Sequence, residues 1–327
     1  MKIIIGAILT VLCAQPLLAL DFNADYPRIP TPLSTNSGFF AGLAAQGTYF
    51  NTTQLNGHPA LGHGGIPAPI GEQYLTSITS EPFFGYNFSD RIGLQLELPV
   101  IYREYEAIQS VGNAIRLFNF IHGSQFGLGD IRLLGNFALV KMDTPDFAVD
   151  WNATAGIKFP TGNADQLSKT NFPFGITRAD LALGSGSYDG IIGTDVSLRW
   201  CRFFATAETR YSIRSEGAFD YQYANDLSWY GGPGAYLVRS DDSTLSLQAI
   251  VSGDTKGKDT APAVQHGSPV SVGDTGETGI YLGPQINFTW RDEVSAQLGA
   301  DLPVSIVTTG IQIVPTYRIR AAVTVWF

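Results

Sequence analysis

Thr316-Tyr317-Arg318-Ile319-Arg320-Ala321-Ala322-Val323-Thr324-Val325-Trp326-Phe327 ends the chain, and its alternation sets the fold class. Tyr317, Ile319, Ala321, Val323, Val325 and Phe327 share one parity, while Arg318, Arg320, Ala322, Thr324 and Trp326 share the other. Side chains alternate across a strand with a period of two, so an extended segment has one apolar face and one face carrying two cations. A helix would scatter the arginines among the apolar residues. The edge strand of a soluble sheet alternates in the same way, so these residues alone leave both readings open.

The N-terminus supplies an address. Met1-Lys2 is a short basic start, followed by an apolar stretch from Ile3 to Leu20 that Thr10, Gln15 and Pro16 interrupt. A polar exit at Asp21-Phe22-Asn23 gives the outline of a cleaved secretory signal peptide over residues 1–20. An uncleaved membrane anchor is the alternative, since the stretch approaches spanning length. Without that segment one cysteine remains, Cys201, which excludes a disulfide-stapled secreted domain. Charged residues make up only 15% of the chain, while Gly (36), Phe (20) and Tyr (14) are abundant. That balance suits strands with one lipid face and one wet face. A net charge of −9 argues against nucleic acid as a partner.

Strand-like segments fall near 38–52, 72–87, 91–102, 127–140, 146–160, 186–200, 202–216, 222–238, 243–254, 277–290, 293–306 and 312–327. Short connections at Asn87–Arg91, Lys141–Pro145, Trp200–Arg202, Arg239–Ser243 and Arg291–Glu293 alternate with longer ones. The long series comprises Thr53–Gly71, Arg103–Phe126, Thr161–Ser185 and Gly253–Gly276, with lesser links around Gly217 and Gly310. Periplasmic turns and longer outer loops alternate in this way in an antiparallel up-and-down transmembrane β-barrel, here of about 12 strands over 38–327. A β-sandwich has no need of such regularity. Trp151, Trp200 and Trp290 fall near short-turn ends on the apolar parity, as an interfacial girdle would. Trp326 points inward and Trp229 does not fit the girdle. Residues 21–37 read as a periplasmic N-terminal segment or a small plug.

Several segments resemble the outer-membrane family named after the meta-cleavage pathway of phenol degradation. Gly127-Leu128-Gly129-Asp130-Ile131 is similar to its Gly-x-Gly-Asp strand opening, and Lys158-Phe159-Pro160-Thr161-Gly162 to its Lys-apolar-Pro-Thr-Gly strand exit. Leu183-Gly184-Ser185-Gly186-Ser187-Tyr188-Asp189 is similar to the re-entry that follows, and Tyr281-Leu282-Gly283-Pro284 and Tyr317–Phe327 match in style and order. The aromatic C-terminus also resembles the sorting signal read by the outer-membrane assembly machinery. The resemblance, from about Gly127 onward, implies a barrel in the bacterial outer membrane that allows passive uptake of small apolar or aromatic compounds. A non-transporting structural or surface-adhesion barrel is the alternative.

Strand parity places Glu97, Arg132, Asp150, Lys158, Asp195, Arg199, Glu208, Arg210, Arg214, Asp301, Arg318 and Arg320 inside, away from lipid, where a charge costs about 2–4 kcal/mol at mid-depth. Two readings follow. The groups line a water-filled passage, best served by the arginine-rich sector Arg199, Arg210, Arg214, Arg318 and Arg320, or they pair into an ionic network that fills a narrow barrel. Acidic residues Asp165, Asp254, Asp259 and Asp274 are expected in outer loops. His58, His63, His122 and His266 also fall in expected loops, so no catalytic site is assigned. His58 and His63 lack further ligands at metal-binding spacing, and Gly273–Glu277 and Ser240–Ser243 read as turns rather than calcium loops. No cofactor is expected.

Overall fold

The structure, a computed structural model, describes residues 27, 37–55, 58–59, 74–111, 117–168, 178–262, 269–272 and 275–327. The signal-peptide segment 1–20, most of 21–37, and His63, His266 and Asp274 lie outside the described residues. Twelve antiparallel strands close into one barrel: β1 (Gly38–Leu55), β2 (Tyr74–Asn87), β3 in two pieces (Ile92–Glu97 and Val100–Val111) and β4 in two pieces (Leu117–Leu128 and Arg132–Asp143). Then follow β5 (Phe147–Lys158), β6 (Asp189–Trp200), β7 (Phe203–Ile213), β8 (Asp226–Arg239), β9 (Ser243–Lys256), β10 (Glu277–Trp290), β11 (Val294–Thr308) and β12 (Ile311–Trp326).

Closure is made by β12, the segment read first. Its register on β1 runs from Phe40↔Trp326 to Leu55↔Ile311. Arg318, Arg320, Ala322 and Thr324 are buried inside, while Ile319 is 38% exposed on the outer face. In β2 the alternation is equally regular: Leu75, Ser77, Thr79, Glu81 and Phe83 are all buried. The outer surface carries exposed apolar side chains such as Phe137, Trp151, Ile192, Leu282, Leu298 and Leu302. A barrel with a polar interior and an apolar outer face inverts the usual soluble arrangement.

Five tight turns, at 88–91, 144–146, 201–202, 240–242 and 291–293, lie at the end that holds Gly38 and Phe327. Arg291 and Asp292 both take positive φ (51° and 52°), as a two-residue hairpin turn matching strand twist requires.

At the opposite end the expected loops need correction. Most of Arg103–Phe126 is strand, because β3 and β4 continue past the rim as a paired hairpin from Val100↔Leu128 to Val111↔Leu117. His122 therefore lies on a strand, exposed, with Nδ1 3.4 Å from Glu106. Leu98-Pro99 and Gly129-Asp130-Ile131 interrupt β3 and β4 at the level of Pro82 in the unbroken β2, and Pro99 has no N–H for a ladder. The Gly127–Ile131 motif thus breaks β4 rather than opening it. The link at Gly310 is only Thr309-Gly310. Strand β9 runs to Lys256, which puts Asp254 on the wall.

Candidate functional site

The described parts of the Thr161–Ser185 connection, residues 161–168 and 178–185, pack against the inner side of the wall. Asp165–Ser168 makes a 3-10 turn, with Leu167 buried and Asp165 exposed, and α1 (Arg178–Leu181) makes a single α turn. Leu181 is driven into an apolar cluster with Phe50, Leu75 and Ile313, flanked by Tyr105. Arg103 reaches up from β3 and donates to the carbonyls of Asp180 (3.0 Å) and Ala182, which fixes the end of α1. Ala179 and Ala182 pack with Leu167, Tyr221 and Ala261. Tyr221 Oη donates to Asp259 Oδ2 at 2.6 Å. Burial, with the Asp259 carboxylate alongside, pushes the Tyr221 phenol far above its ordinary range, so it stays a donor. Asp259 is therefore not an exposed loop acid: it is buried against Lys256 at 2.8 Å.

The three glycine-containing motifs meet at the base of this folded-in segment. Asp130 accepts from Gly162 N–H (3.0 Å), Ser185 N–H (2.9 Å) and Ser185 Oγ (2.8 Å) and pairs with Lys158 at 2.8 Å. Thr161 Oγ1 donates to Gly129 O at 2.9 Å and accepts from Ile131 N–H at 2.9 Å. A Cβ on Gly184 would sit 2.6 Å from the Gly162 Cα, so the glycine there serves close approach of two backbones. Lys158 also pairs with Asp189, which Arg214 holds at 3.1 Å while it reaches Asp226 at 2.7 Å.

Other interior charges among the described residues are paired as well. Arg132 sits between Glu81 and Glu97 (2.8 Å to the latter). Arg318 pairs with Asp254 at 3.2 Å and lies 3.3 Å from the centre of the Tyr281 ring, and Arg320 pairs with Asp301 at 2.7 Å. The expected arginine-rich sector is dispersed. Arg199 sits at the tight-turn end, on Asp143 and the carbonyls of Thr144 and Pro145. Asp150 faces Lys141 across the β4–β5 ladder near the same end. Asp195, Glu208 and Arg210 flank a recess lower in the wall. Sequence reasoning missed Glu81, Arg103, Asp226 and Leu181. Glu81 and Asp226 had inward parity in extended stretches as their only signal, Arg103 fell at the start of an expected loop, and Leu181 had none.

No family model matches the chain, and no curated protein matches it. Among solved structures, the COG4313 outer membrane channel from Pseudomonas putida F1 is similar, with a TM-score of 0.58 at 14% identity over 94% of this chain and 100% of that one. The fold is shared. The beta domain of the Bordetella autotransporter BrkA gives 0.42 at 8% identity over 89% of this chain and 99% of that one. A Pseudomonas aeruginosa FadL homologue gives 0.39 at 10% identity over 93% and 95%.

Proposed function

We propose that this chain is a bacterial outer-membrane barrel for passive uptake of small apolar or aromatic molecules, exported by its N-terminal segment and inserted by the outer-membrane assembly machinery. One observation carries the reading. β11 and β12 pair over eight rungs, from Val294↔Val325 to Asp301↔Arg318, and among the described residues no further. Beyond that rung 302–308 pairs only with β10, and 311–317 only with β1. A tilted strand needs roughly 9–11 residues to cross the hydrocarbon layer, so the parting begins within it. Open backbone at that depth is costly unless protein or a cavity covers it. Behind the parting lies the Phe50, Leu75, Leu181 and Ile313 cluster, and outside it stand Leu302, Val304 and Val307, all more than half exposed. An apolar solute meets compatible surface on both sides.

The resemblance to the phenol meta-cleavage family supports the same solute class. The fold shared with an outer membrane channel supports the setting. The ion pairs of the interior favour the rival, a non-transporting structural barrel, because among the described residues they hold much of the interior charge in buried pairs. Flux of a small aromatic into vesicles with a lipopolysaccharide outer leaflet tests the choice. Protein-dependent flux supports uptake, and rates equal to those of empty vesicles assign the chain to the rival.

A further inference from the structure

Strand β4 is paired on both edges below its interruption and on one edge above it. Arg132–Asp143 lies between β3 and β5, whereas Leu117–Leu128 pairs, among the described residues, with β3 alone and ends the order of strands in the sheet. The cause lies in β5, which stops at Lys158. Phe159 N–H donates to Ile131 O at 2.8 Å, and Pro160 then has no N–H with which to continue the ladder. Unpaired N–H and C=O groups along a strand are a template for another strand, and proteins blunt them with lysine, proline, a bulge or a cover. Leu117–Leu128 contains no lysine, arginine or proline, and its register on β3 runs without a bulge. His122, Ser124 and Phe126 are exposed, Phe126 by 74%.

One face of this hairpin sets Phe126, Ser124 and His122 on β4 against Tyr102, Glu104 and Glu106 on β3. In β1, β2, Val100–Val111 and Leu117–Leu128 the one lysine or arginine is Arg103, which is buried on the opposite face and holds α1. The open edge therefore stands beside an acidic face. We propose that the free edge of Leu117–Leu128 docks an extended, basic segment of a partner protein as an added strand. Backbone pairing supplies the attachment, and alternate side chains supply the choice. Neighbouring strands lie about 4.8 Å apart, so a lysine or arginine opposite Ser124 reaches over that short side chain toward Glu104. An aromatic or branched residue two positions along the added strand meets Phe126 as a cross-strand pair. A second copy of this chain offers two more glutamates and no lysine or arginine on this face, so it lacks that complementarity. Docking is independent of passage through the barrel, and the proposal goes beyond the uptake reading.

Titration of extended peptides of about eight residues into the purified barrel, in detergent at low salt, tests it. The basic probe alternates threonine with lysine, lysine, phenylalanine and valine, and its acidic counterpart carries glutamate in place of lysine. Two further versions of the basic probe are N-methylated on alternate residues, so that each lacks the backbone donors of one edge. The basic probe is expected to bind about tenfold or more tightly than the acidic one, and the Glu104→Gln, Glu106→Gln double variant loses that preference. One methylated version binds like its parent and the other about tenfold or more weakly. Equal binding of the basic and acidic probes, equal behaviour of the two methylated versions, or binding of none overturns the proposal with wild-type protein, whether or not the variant folds. A dimer that binds no probe assigns the edge to a second copy. Amides of residues 122–127 already protected from exchange in the free protein assign it to another part of the same chain. Either result also overturns the proposal, and none of these outcomes touches the flux measurement on which the uptake reading rests.

Discussion

Replacing Asp130 with Asn is expected to loosen the folded-in segment while leaving the barrel closed. The carboxylate is 2% exposed and takes two backbone N–H groups, one hydroxyl and one ammonium. Asparagine keeps the volume, removes the charge and turns one acceptor into a donor. One of the N–H groups of Gly162 and Ser185 then faces a donor, at a cost of about 1–3 kcal/mol. Lys158 keeps Asp189, so the ~3–5 kcal/mol for breaking a buried pair is an upper limit for the electrostatic part. A net cost of about 3 kcal/mol, confined to the segment from Thr161 to Ser187, is expected. The wall ladders do not pass through Asp130, which sits in the interruption of β4. Each ~1.4 kcal/mol is tenfold, so amide exchange at Ala182–Ser187, followed by mass spectrometry in detergent, speeds up by roughly 100-fold. Amides in β9 and β10 keep their protection. Acceleration below about threefold, or equal acceleration in β9 and β10, refutes the assignment of Asp130 as the anchor of this segment.

Arg214→Gln leaves Asp226 without its cation while Asp189 keeps Lys158, and is expected to cost up to ~3–5 kcal/mol, lowering the temperature at which the compact form disappears in heat-modification gels. Arg210→Gln, at its loose 4.0 Å pair, is expected to leave that temperature nearly unchanged, and equal shifts in the two variants contradict this difference. Leu282→Arg places a charge on the outer face opposite Leu302 and is expected to cost about 2–4 kcal/mol of folding into vesicles, so an unaltered folding yield argues against lipid contact there. Gly184→Val overpacks the contact with Gly162 by ~1–3 kcal/mol, read as faster proteolysis near Thr161. Leu181→Ala opens a cavity beside Phe50, Leu75 and Ile313 and is expected to cost ~2–5 kcal/mol, which a small aromatic solute partly restores if the cluster accepts such molecules.

The strands were legible because lipid outside and polar side chains inside force a period of two, and β12 shows it without exception from Arg318 to Thr324. Tight turns were legible for a related reason: residues such as Arg291-Asp292 interrupt two alternating runs. The hairpin beyond the rim was not. Over 103–126 the sequence sets Arg103, Glu104 and Glu106 close together and gives no sustained polar–apolar alternation, so it reads as loop. Inward parity placed Lys158 and Arg318 on the correct face, but parity says nothing of partners three or more strands away. Arg318 meets Asp254, 64 positions earlier and three strands over, and that pairing depends on the order of β9 to β12 in the wall. The Asp130 junction was half visible: its three motifs were recognised in order, yet only the fold brings Gly129, Gly162 and Ser185 together.

Under the proposed uptake, the interior would set two different physical costs for two kinds of solute. An ion crossing the layer of Arg132, Lys158, Arg318 and Arg320 must exchange with carboxylates that already hold these cations in a buried setting, and breaking any one pair leaves an uncompensated charge. An apolar solute gains nothing from that layer and loses its favourable surroundings by entering it. For such a solute the cheaper position is the cluster around Leu181, above the paired layer and level with the parting of β11 and β12. Displacing Leu181 exchanges one apolar contact for another of similar area, so the main cost lies in the polar anchors that hold α1 in place: Arg103 on the carbonyls of Asp180 and Ala182, and Asp130 on Ser185. Under the proposed uptake, the strength of those anchors therefore sets how readily the cluster would admit a solute.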